Sequence, residues 1–562
     1  MADYFVSNTV GNVSEDGSRS NPYLSLSSLH TALGGVLTGH TIRLAGGDTF
    51  DENVNADATT KIWTGDNWTL DSWQPANRMS LVPTITRAKR NLTWSLVSGN
   101  VYTSSALAVE GYGGCILEDG LALNWKDFAD TGVPATDLAT TVASMTAGTA
   151  SYNFYNNQYL VYPRTGTPSS HVYAATAGLY LFQVQNAASF NVRNIKFELA
   201  SGGIKWGEVS TATLRGGYVI ENIEIANCGG AHVGGTGGFI SGNGLGIISD
   251  SGANGDSFFR NSTIRDIFDS GYSPQLYGNN TTLKNLHAKN ISIYRCGLSG
   301  VELSMTGAVG TQITATMENV TVQNSFVYDT GYGWRGLTPF TGFGMNIQTN
   351  NSNAGVVQRN ILFKGNYISG AITGGLLLHQ TNGNNIIARD NYITNCPIGI
   401  INTSRSGYPA TINKVAKYNV INNCTTGIEL GRSSSGVAGS IQEVSNNTII
   451  GSTTGISDIS KTGDTVIANN NLILSATTGI RSDGVGTFTK NKNNLSSCST
   501  PHSGVGAGSD TFTTVTLNAD YVPSTLLTGT AQQPDVDYNG NYANSIVGAT
   551  NKANQHIVGY FI

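Results

Sequence analysis

Two carboxylates near the middle of the chain have the residue types that glycoside hydrolysis needs. Asp269 ends the stretch Asp266-Ile267-Phe268-Asp269, and Glu302 follows Gly300-Val301. Cleavage of a glycosidic bond uses two carboxyl groups, one as acid and the other as nucleophile or base. We therefore predict Asp269 and Glu302 as the catalytic pair, with Asp266 as a reserve that could instead serve a turn. The sequence leaves their separation open, and with it the choice between a retaining and an inverting reaction.

Basic and aromatic residues nearby support a second chemistry. Lys205, His232 and Arg335 could neutralise a uronate and supply a base for β-elimination. For each single residue, a solvated or packing side chain is an equally good interpretation. The predicted substrate-binding residues are Lys205, His232, Tyr272, Gln275, Trp334, Arg335 and His379.

A repeated phrase in the second half predicts how these residues are positioned. An Asn followed by a short apolar strand recurs with gaps of 25, 28, 28, 24 and 23 residues. Eight or nine residues after each of the first five Asn, a Gly opens a second short strand. A period in the twenties with two strands per unit is typical of a stacked β solenoid. The repeat Asn are Asn366, Asn391, Asn419, Asn447, Asn471 and Asn494.

The same phrase continues towards the N-terminus with longer gaps. Such gaps indicate loops inserted between rungs, and insertions in solenoids often gather on the binding face. The earlier repeat Asn are Asn194, Asn222, Asn261, Asn290 and Asn324. We therefore expect the regular half to be scaffold and the half with insertions to carry the site.

Strand alternation selects one column of outward side chains. In Gly427-Ile428-Glu429-Leu430 the two apolar side chains point inward, so Glu429 points outward. Taking the second residue after each repeat Gly gives a column that is polar over its first five rungs, a groove suited to an extended polysaccharide. The column is Lys205, His232, Ser273, Glu302, Arg335, Leu377, Ile401, Glu429, Ser457 and Arg481.

Composition excludes several classes of protein. Only 12% of the 562 residues are charged, and the net charge of -5 argues against nucleic acid as the main partner. The sequence contains no run of 18 apolar residues, so no membrane-spanning segment is expected. The sequence shows no secretory signal peptide.

The spacing of the cysteines and of the acidic residues predicts neither disulfides nor a metal site. Five of the six cysteines, Cys228, Cys296, Cys396, Cys424 and Cys498, follow a repeat Asn by four to six residues, where Ser452 and Ser475 stand in other rungs. We expect reduced, inward-facing thiols. No C-x-x-C pair and no EF-hand spacing is present, so no metal or other cofactor is expected.

The first fifty residues carry a family resemblance. Tyr4-Phe5-Val6-Ser7, Asp16-Gly17-Ser18, Asn21-Pro22-Tyr23 and His40-Thr41-Ile42-Arg43-Leu44 resemble the opening of the right-handed parallel β-helix proteins of the pectin-lyase-like group. The resemblance implies an all-β, right-handed parallel β-helix with an inserted β module. We predict residues 1–60 as N-terminal cap and first rung, 61–175 as the inserted module, 176–500 as the β-helix and 501–562 as a closing segment.

The module holds five of the seven tryptophans, which either line a sugar-binding surface or fill a small core. They are Trp63, Trp68, Trp73, Trp94 and Trp125.

Proteins of this group mostly act on polysaccharides, and the low charge with Asn/Gly/Thr-rich rungs also resembles phage tailspikes. The resemblance implies a polysaccharide depolymerase acting on a bacterial surface glycan, more often by hydrolysis than by elimination. It also implies a homotrimer located on a virion tail or outside the cell. A secreted lyase or epimerase acting on uronate-containing glycan is the second expectation. A non-catalytic glycan receptor is the third.

Overall fold

The fold is seen in a computed structural model of the chain. It describes residues 2–10, 15–51, 62–75, 81–107, 113–176, 181–184, 189–200, 204–206, 217–233, 239–249, 255–276, 281–305, 314–332, 342–349, 355–379, 383–403, 413–432, 440–512, 535–536 and 542–543. The chain divides into two compact units. The first comprises Met1–Gln275, Ser292–Gly300 and Gly331–Phe340, and the second comprises Leu276–Ile291, Val301–Thr330 and Thr341–Ile562.

The second unit is built from stacked parallel coils, which confirms the predicted parallel β-helix. Each full coil contributes three strands, where the sequence predicted two, because a further strand precedes each repeat Asn. One stack contains the strand Thr281–Cys296 as far as Ile291, and then Ala315–Gln323, Val356–Lys364, Ile386–Arg389, Asn413–Lys417, Ile441–Ser445, Thr465–Asn469 and Thr487–Asn491. The next contains Phe326–Tyr328, Tyr367–Ser369, Tyr392–Thr394, Val420–Asn422, Thr448–Ile450, Leu472–Leu474 and Asn494–Ser496. The third contains Ser299–Met305, Phe343–Thr349, Gly374–Leu378, Ile398–Thr403, Thr426–Arg432, Thr454–Asp458, Thr478–Ser482 and Thr500–Ser503.

The first unit repeats this architecture. Its first stack contains Asp3–Val6, Thr41–Ala45, Trp68–Trp73, Phe190–Arg193, Tyr218–Glu221 and Ser257–Ile267. Thr49–Asp51, Thr84–Thr86, Lys196–Glu198 and Glu224–Cys228 form the second with the later part of Ser257–Ile267. The third contains Ile62–Trp63, Phe182–Val184, Ile204–Trp206, Leu245–Ser249 and Tyr272–Leu276. The helix Leu26–Leu33, capped by Ser25 and ended by Gly34, buries Leu26 and Leu29.

The inserted module is shorter than predicted, because residues 62–86 supply strands to the coils. The insert, residues 88–176, holds two small, mainly antiparallel sheets. Its strands are Ala88–Lys89, Trp94–Ser98, Val101–Ser104, Ile116–Glu118, Leu121–Ala122, Asn124–Trp125, Thr149–Asn153, Gln158–Tyr162 and Tyr173–Thr176. It also contains the helix Pro134–Ser144 and the short 3-10 helix Pro168–Ser170.

Two further antiparallel pairs lie apart from the stacks. Ala231–Val233 pairs with Phe239–Ser241, and Asp535–Val536 pairs with Tyr542–Ala543. Most of the predicted closing segment lies outside the described residues, although Thr500–Ser503 belongs to the third stack of the second unit.

A buried ladder of side-chain amides joins the later coils. Asn391 Nδ2 donates to Asn419 Oδ1, and Asn419 Nδ2 donates to Asn447 Oδ1, at 2.9 and 3.0 Å. The ladder continues through Asn471 to Asn493, so Asn493 and not the predicted Asn494 is its member. Each amide also bonds the backbone of a neighbouring coil, which satisfies polar groups that water cannot reach.

The Asn of the earlier coils have a different role from the one the shared phrase indicated. Asn324 has φ 51°, in the left-handed region, and the residue after it takes the ladder position. Thus Ser325 N donates to Asn366 Oδ1. Asn is one of the few residues with a side chain that tolerates this conformation readily. Asn194, Asn222, Asn261 and Asn290 likewise have positive φ.

The cysteines are free thiols, as predicted, and those of the second unit form one column. Cys396 aligns with Cys424 and then with Ser452, since their preceding strands pair in register. The next residue in this column is Ala476, not the predicted Ser475. Ser475 has a left-handed backbone conformation. We expect denatured, unreduced protein to release six thiols in a colorimetric titration; finding fewer would show that a disulfide forms.

A buried lysine predicts a pH-dependent stability. The Lys414 side chain is fully buried, and its Nζ donates to the Thr403 carbonyl oxygen. Burial lowers the pKa of Lys414 to about 7, and the charge of Asp464 opposes this shift. Between the pKa of Lys414 in the folded protein and the ordinary lysine pKa of ~10.4, the unfolded chain binds a proton that the folded chain does not. Stability should therefore rise with pH in this window, by on the order of 4 kcal/mol.

Thermal melting of wild type, Lys414→Met and Lys417→Met between neutral and alkaline pH checks this prediction. Lys417 lies on the same strand and is half-buried. Lys414→Met should lose most of the rise, whereas Lys417→Met should keep it. Equal slopes in all three proteins would contradict the prediction.

Candidate functional site

Glu302 is a carboxylate on the outer face of a buried strand in the second unit. Val301, Leu303 and Met305 of the strand Ser299–Met305 are fully buried core residues. Because strand side chains alternate between faces, Glu302 and Ser304 lie on the opposite, outer face. Glu302 is nevertheless only 5% exposed, so other groups on that face cover it.

The neighbouring strand Phe343–Thr349 supplies an amide to this carboxylate. Gln348 Nε2 donates a hydrogen bond to Glu302 Oε1. Met345 and Ile347 fill the core, so alternation places Asn346 and Gln348 on the outer face with Glu302. An amide that holds one carboxylate oxygen fixes the direction of the carboxylate.

His379 follows the next strand of the same stack. Its backbone N–H donates to the Ile347 carbonyl at 3.2 Å, and its side chain is half-buried. The outer-face residues gathered here are called the polar patch: Glu302, Ser304, Asn346, Gln348 and His379.

The polar patch gives way to an apolar cluster further along the outer face. Leu377 pairs in register with Ile401, and both pack with Ile398 and Phe343. The register continues through Glu429, Ser457 and Arg481, so the predicted outer column is correct from Leu377 onward. The position before Leu377, which the sequence assigned to Arg335, belongs to Asn346.

The chemistry of the polar patch suits hydroxyl-rich ligands. Ser304, Asn346 and Gln348 carry hydroxyl and amide groups that both donate and accept hydrogen bonds. Ser304 and Asn346 are buried, and Gln348 is half-buried. Glu302 adds a carboxylate, which accepts hydrogen bonds when it is ionised.

Asp266 and its arginine partners form ion pairs within the first unit. Asp266 has φ 55°, and Arg295 Nε and Nη2 bond its two carboxylate oxygens at 2.5 and 2.7 Å. Arg265 adds a third contact at 2.8 Å. A carboxylate held this way is suited to stabilising the turn, which is the alternative role predicted for Asp266. Its reserve catalytic role stays a prediction.

Asp269 lies in a bend after the strand Ser257–Ile267 and is half-buried. Its backbone carbonyl accepts a hydrogen bond from Leu298 N at 3.1 Å. Burial is the main cause of the raised pKa of the Cys296 thiol, and the charges of Asp266 and Asp269 add to it. The role of Asp269 as the second carboxyl group stays a prediction from the sequence.

Tyr272, a predicted substrate-binding residue, is a buried core residue in the structure. It is 1% exposed, its ring packs 5.1 Å from Phe259, and its hydroxyl lies 3.4 Å from that of Tyr218. Burial raises the pKa of its hydroxyl. Gln275 lies on the opposite face and bonds Ser273 Oγ at 2.7 Å, which leaves it a candidate.

The predicted basic end of the column is not continuous. Lys205 pairs in parallel register with Gln183 and Gly246, so Gly246 occupies the place predicted for His232. His232 instead pairs antiparallel with Ile240. Trp334 and Arg335 lie outside the described residues.

Sequence reasoning missed Ser304, Asn346 and Gln348. Alternation from Glu302 pointed to Ser304, and the alternating run Phe343-Gly344-Met345-Asn346-Ile347-Gln348 is itself a strand signal. The prediction placed this coil at Arg335 because it counted from the Gly nine residues after Asn324, whereas the strand Phe343–Thr349 begins later in the chain.

No site for a metal ion emerges from the part of the chain that the structure describes. No three His, Cys, Asp or Glu side chains gather there. Among the same residues, no helix has the length and apolar character of a membrane span.

No protein-family model and no curated protein matches this chain. Solved structures resemble it at low identity. The complex of XylC with xylose gives a TM-score of 0.45 at 12% identity, covering 89% of this chain and 84% of that chain. The pectate lyase Pel9A gives 0.35 at 11%, covering 98% and 97%. The tailspike protein gp49 from Pseudomonas phage LKA1 gives 0.31 at 10%, covering 87% and 76%.

Proposed function

We propose that this protein is a polysaccharide depolymerase that hydrolyses glycosidic bonds in a bacterial surface glycan. The observation that carries the proposal is Glu302, a carboxylate on the outer face of a parallel β-helix coil, oriented by Gln348 and 5% exposed. Burying a carboxylate is costly unless it is hydrogen-bonded, and a buried carboxylate on an outer face is a candidate functional group.

In the proposed reaction, Glu302 is one of the two carboxyl groups. As the acid it would protonate the leaving glycosidic oxygen; as the nucleophile or base it would attack the anomeric carbon or activate water. Gln348 holds its orientation, and Asn346, Ser304 and His379 bind sugar hydroxyls. Asp269 is proposed as the second carboxyl group. The anomeric configuration of the first product distinguishes retention from inversion.

We further propose an extracellular setting, on a virion tail or as a secreted protein, and a homotrimer. This rests on the resemblance to tailspike proteins and on the extended outer face, which suits a long glycan chain. Sedimentation equilibrium gives the assembly mass: a trimer supports the tailspike assignment, and a monomer at micromolar concentration contradicts it.

Incubation with a set of capsular and lipopolysaccharide glycans tests the function itself. Hydrolysis produces new reducing ends without ultraviolet absorbance. Reducing ends together with the absorbance of an unsaturated uronate would instead identify a lyase. Binding without new ends would identify a glycan receptor.

A further inference from the structure

The insert contains a cavity of ≈ 540 Å³ that the proposed reaction does not use. Ligand sites commonly have volumes of roughly 300–1,000 Å³ and combine aromatic surface with a few polar groups. The cavity lies between the insert's two small sheets, and all its lining residues belong to the first unit. The residues that matter below are Arg90, Trp94, Tyr102, Ser169, His171 and Tyr173.

An aromatic surface forms one side of the cavity. The Trp94 ring packs on Tyr173 with centroids 4.8 Å apart. Tyr173 is 3% exposed, and its hydroxyl donates to Glu118 Oε2 at 2.7 Å. Trp94 and Tyr102 keep part of their surface open to the cavity. The other four tryptophans near the insert, Trp63, Trp68, Trp73 and Trp125, are buried packing residues.

A pre-ordered loop forms the opposite wall. His171 Nδ1 lies 2.7 Å from Asp119 Oδ2, and its Nε2 lies 2.7 Å from the Thr165 carbonyl. Val172 N donates to the other Asp119 oxygen at 2.8 Å. These bonds hold Thr167, Pro168 and Ser169 at the cavity rim, so little ordering is needed when a ligand binds.

Charged groups at the cavity edge have partners. Arg90 lies 4.0 Å from Glu198, which Lys196 also contacts at 2.6 Å, and His171 lies against Asp119. Aromatic and hydroxyl-bearing side chains, rather than charged ones, therefore make up most of the lining. The rim also carries the hydroxyl groups of Thr93, Thr167 and Ser169.

From this arrangement we infer that the insert carries a second carbohydrate site, which binds a neutral pyranose residue. A pyranose has an apolar C–H face, which suits the rings of Trp94 and Tyr102, and a rim of hydroxyl groups, which suits Thr93, Thr167 and Ser169. The site would hold a glycan independently of cleavage at Glu302, so the whole chain would bind with two contacts.

Binding of full-length protein to immobilised gluco-, xylo-, galacto- and manno-oligosaccharides, with polygalacturonate as the acidic probe, tests the inference. At least one neutral probe should bind, and Trp94→Ala should weaken that binding about tenfold or more. Leu121→Ala is the matched control, because Leu121 is 64% exposed in the same module and does not line the cavity. Its binding should stay at the wild-type level.

Ser169→Trp covers the case in which Trp94→Ala disturbs folding. Ser169 is exposed at the rim, so a large side chain there should fill the cavity without entering the core. It should reduce binding while the melting temperature stays unchanged. Absence of neutral binding, a preference for polygalacturonate, or neutral binding that survives Ser169→Trp would overturn the inference. Binding that is lost only in Glu302→Gln would place the glycan at the polar patch instead.

Discussion

Glu302→Gln should lower the rate of glycan cleavage by about 10²–10⁴-fold, because it removes a group that transfers a proton or attacks in the transition state. The substitution is nearly isosteric. Its side-chain carbonyl can still accept the hydrogen bond that Gln348 Nε2 donates to Glu302. The melting temperature should therefore change little. Initial rates over a range of substrate concentrations should show the loss in kcat rather than in KM.

Asp269→Asn and Glu429→Gln complete this test. Asp269→Asn should produce a loss of similar size if Asp269 is the second carboxyl group. Glu429 lies further along the outer column, in register with Ile401 and Ser457, and its substitution should leave the rate near wild type. Near-wild-type rates for both Glu302→Gln and Asp269→Asn, together with loss of turnover in Lys205→Ala or His232→Ala, would move the chemistry to the basic residues.

Asn419→Ala should have the largest effect on stability. Asn419 Oδ1 accepts from both Asn391 N and Asn391 Nδ2, and its Nδ2 donates to Ala388 O and Asn447 Oδ1. Truncation leaves these groups buried without partners. Each group that cannot find a new partner lowers the free energy of unfolding by about 1–3 kcal/mol. A loss of roughly 3–5 kcal/mol in the free energy of unfolding is expected.

Asn423→Ala is the control for the ladder. Asn423 Nδ2 donates to Asn395 Oδ1 at 2.7 Å, but at an exposed position. Its φ of 51° adds a small backbone cost for alanine, so a loss of about 1 kcal/mol is expected. Denaturant unfolding of both variants gives the comparison. A loss at Asn419 no greater than that at Asn423 would show that the ladder contributes little.

Regular spacing determined how much of the fold could be predicted. Where coils follow each other without insertions, the column from Leu377 to Arg481 was correct residue by residue. Errors arose where two neighbouring positions satisfy one pattern. Asn494 was chosen over Asn493 because the phrase does not distinguish an interior amide from its neighbour, and Asn324 matched the phrase although it occupies a left-handed bend.

The site was harder to predict because its coils carry the insertions. Counting from the Gly eight or nine residues after the repeat Asn placed Arg335 and His232 in the outer column. Strand pairing places Asn346 and Gly246 there instead. The burial of Tyr272 could have been predicted from the sequence. If Ser273 faces outward, alternation requires Tyr272 to face the core. The amide partner of Glu302 could not be found from sequence, since the pairing of strands across a long insertion decides it.

The most direct test of the central claim is the fate of solvent oxygen during cleavage. Hydrolysis transfers an oxygen atom from water to the new anomeric carbon, whereas β-elimination leaves the glycosidic oxygen on the released sugar. The cleaved glycan should be digested in heavy-oxygen water and its fragments measured immediately by mass spectrometry, with a digest in ordinary water and a label-exchange blank beside it. We predict that each new reducing end carries one heavy oxygen. Unlabelled reducing ends with a matching set of dehydrated ends would contradict a glycosidase built on Glu302.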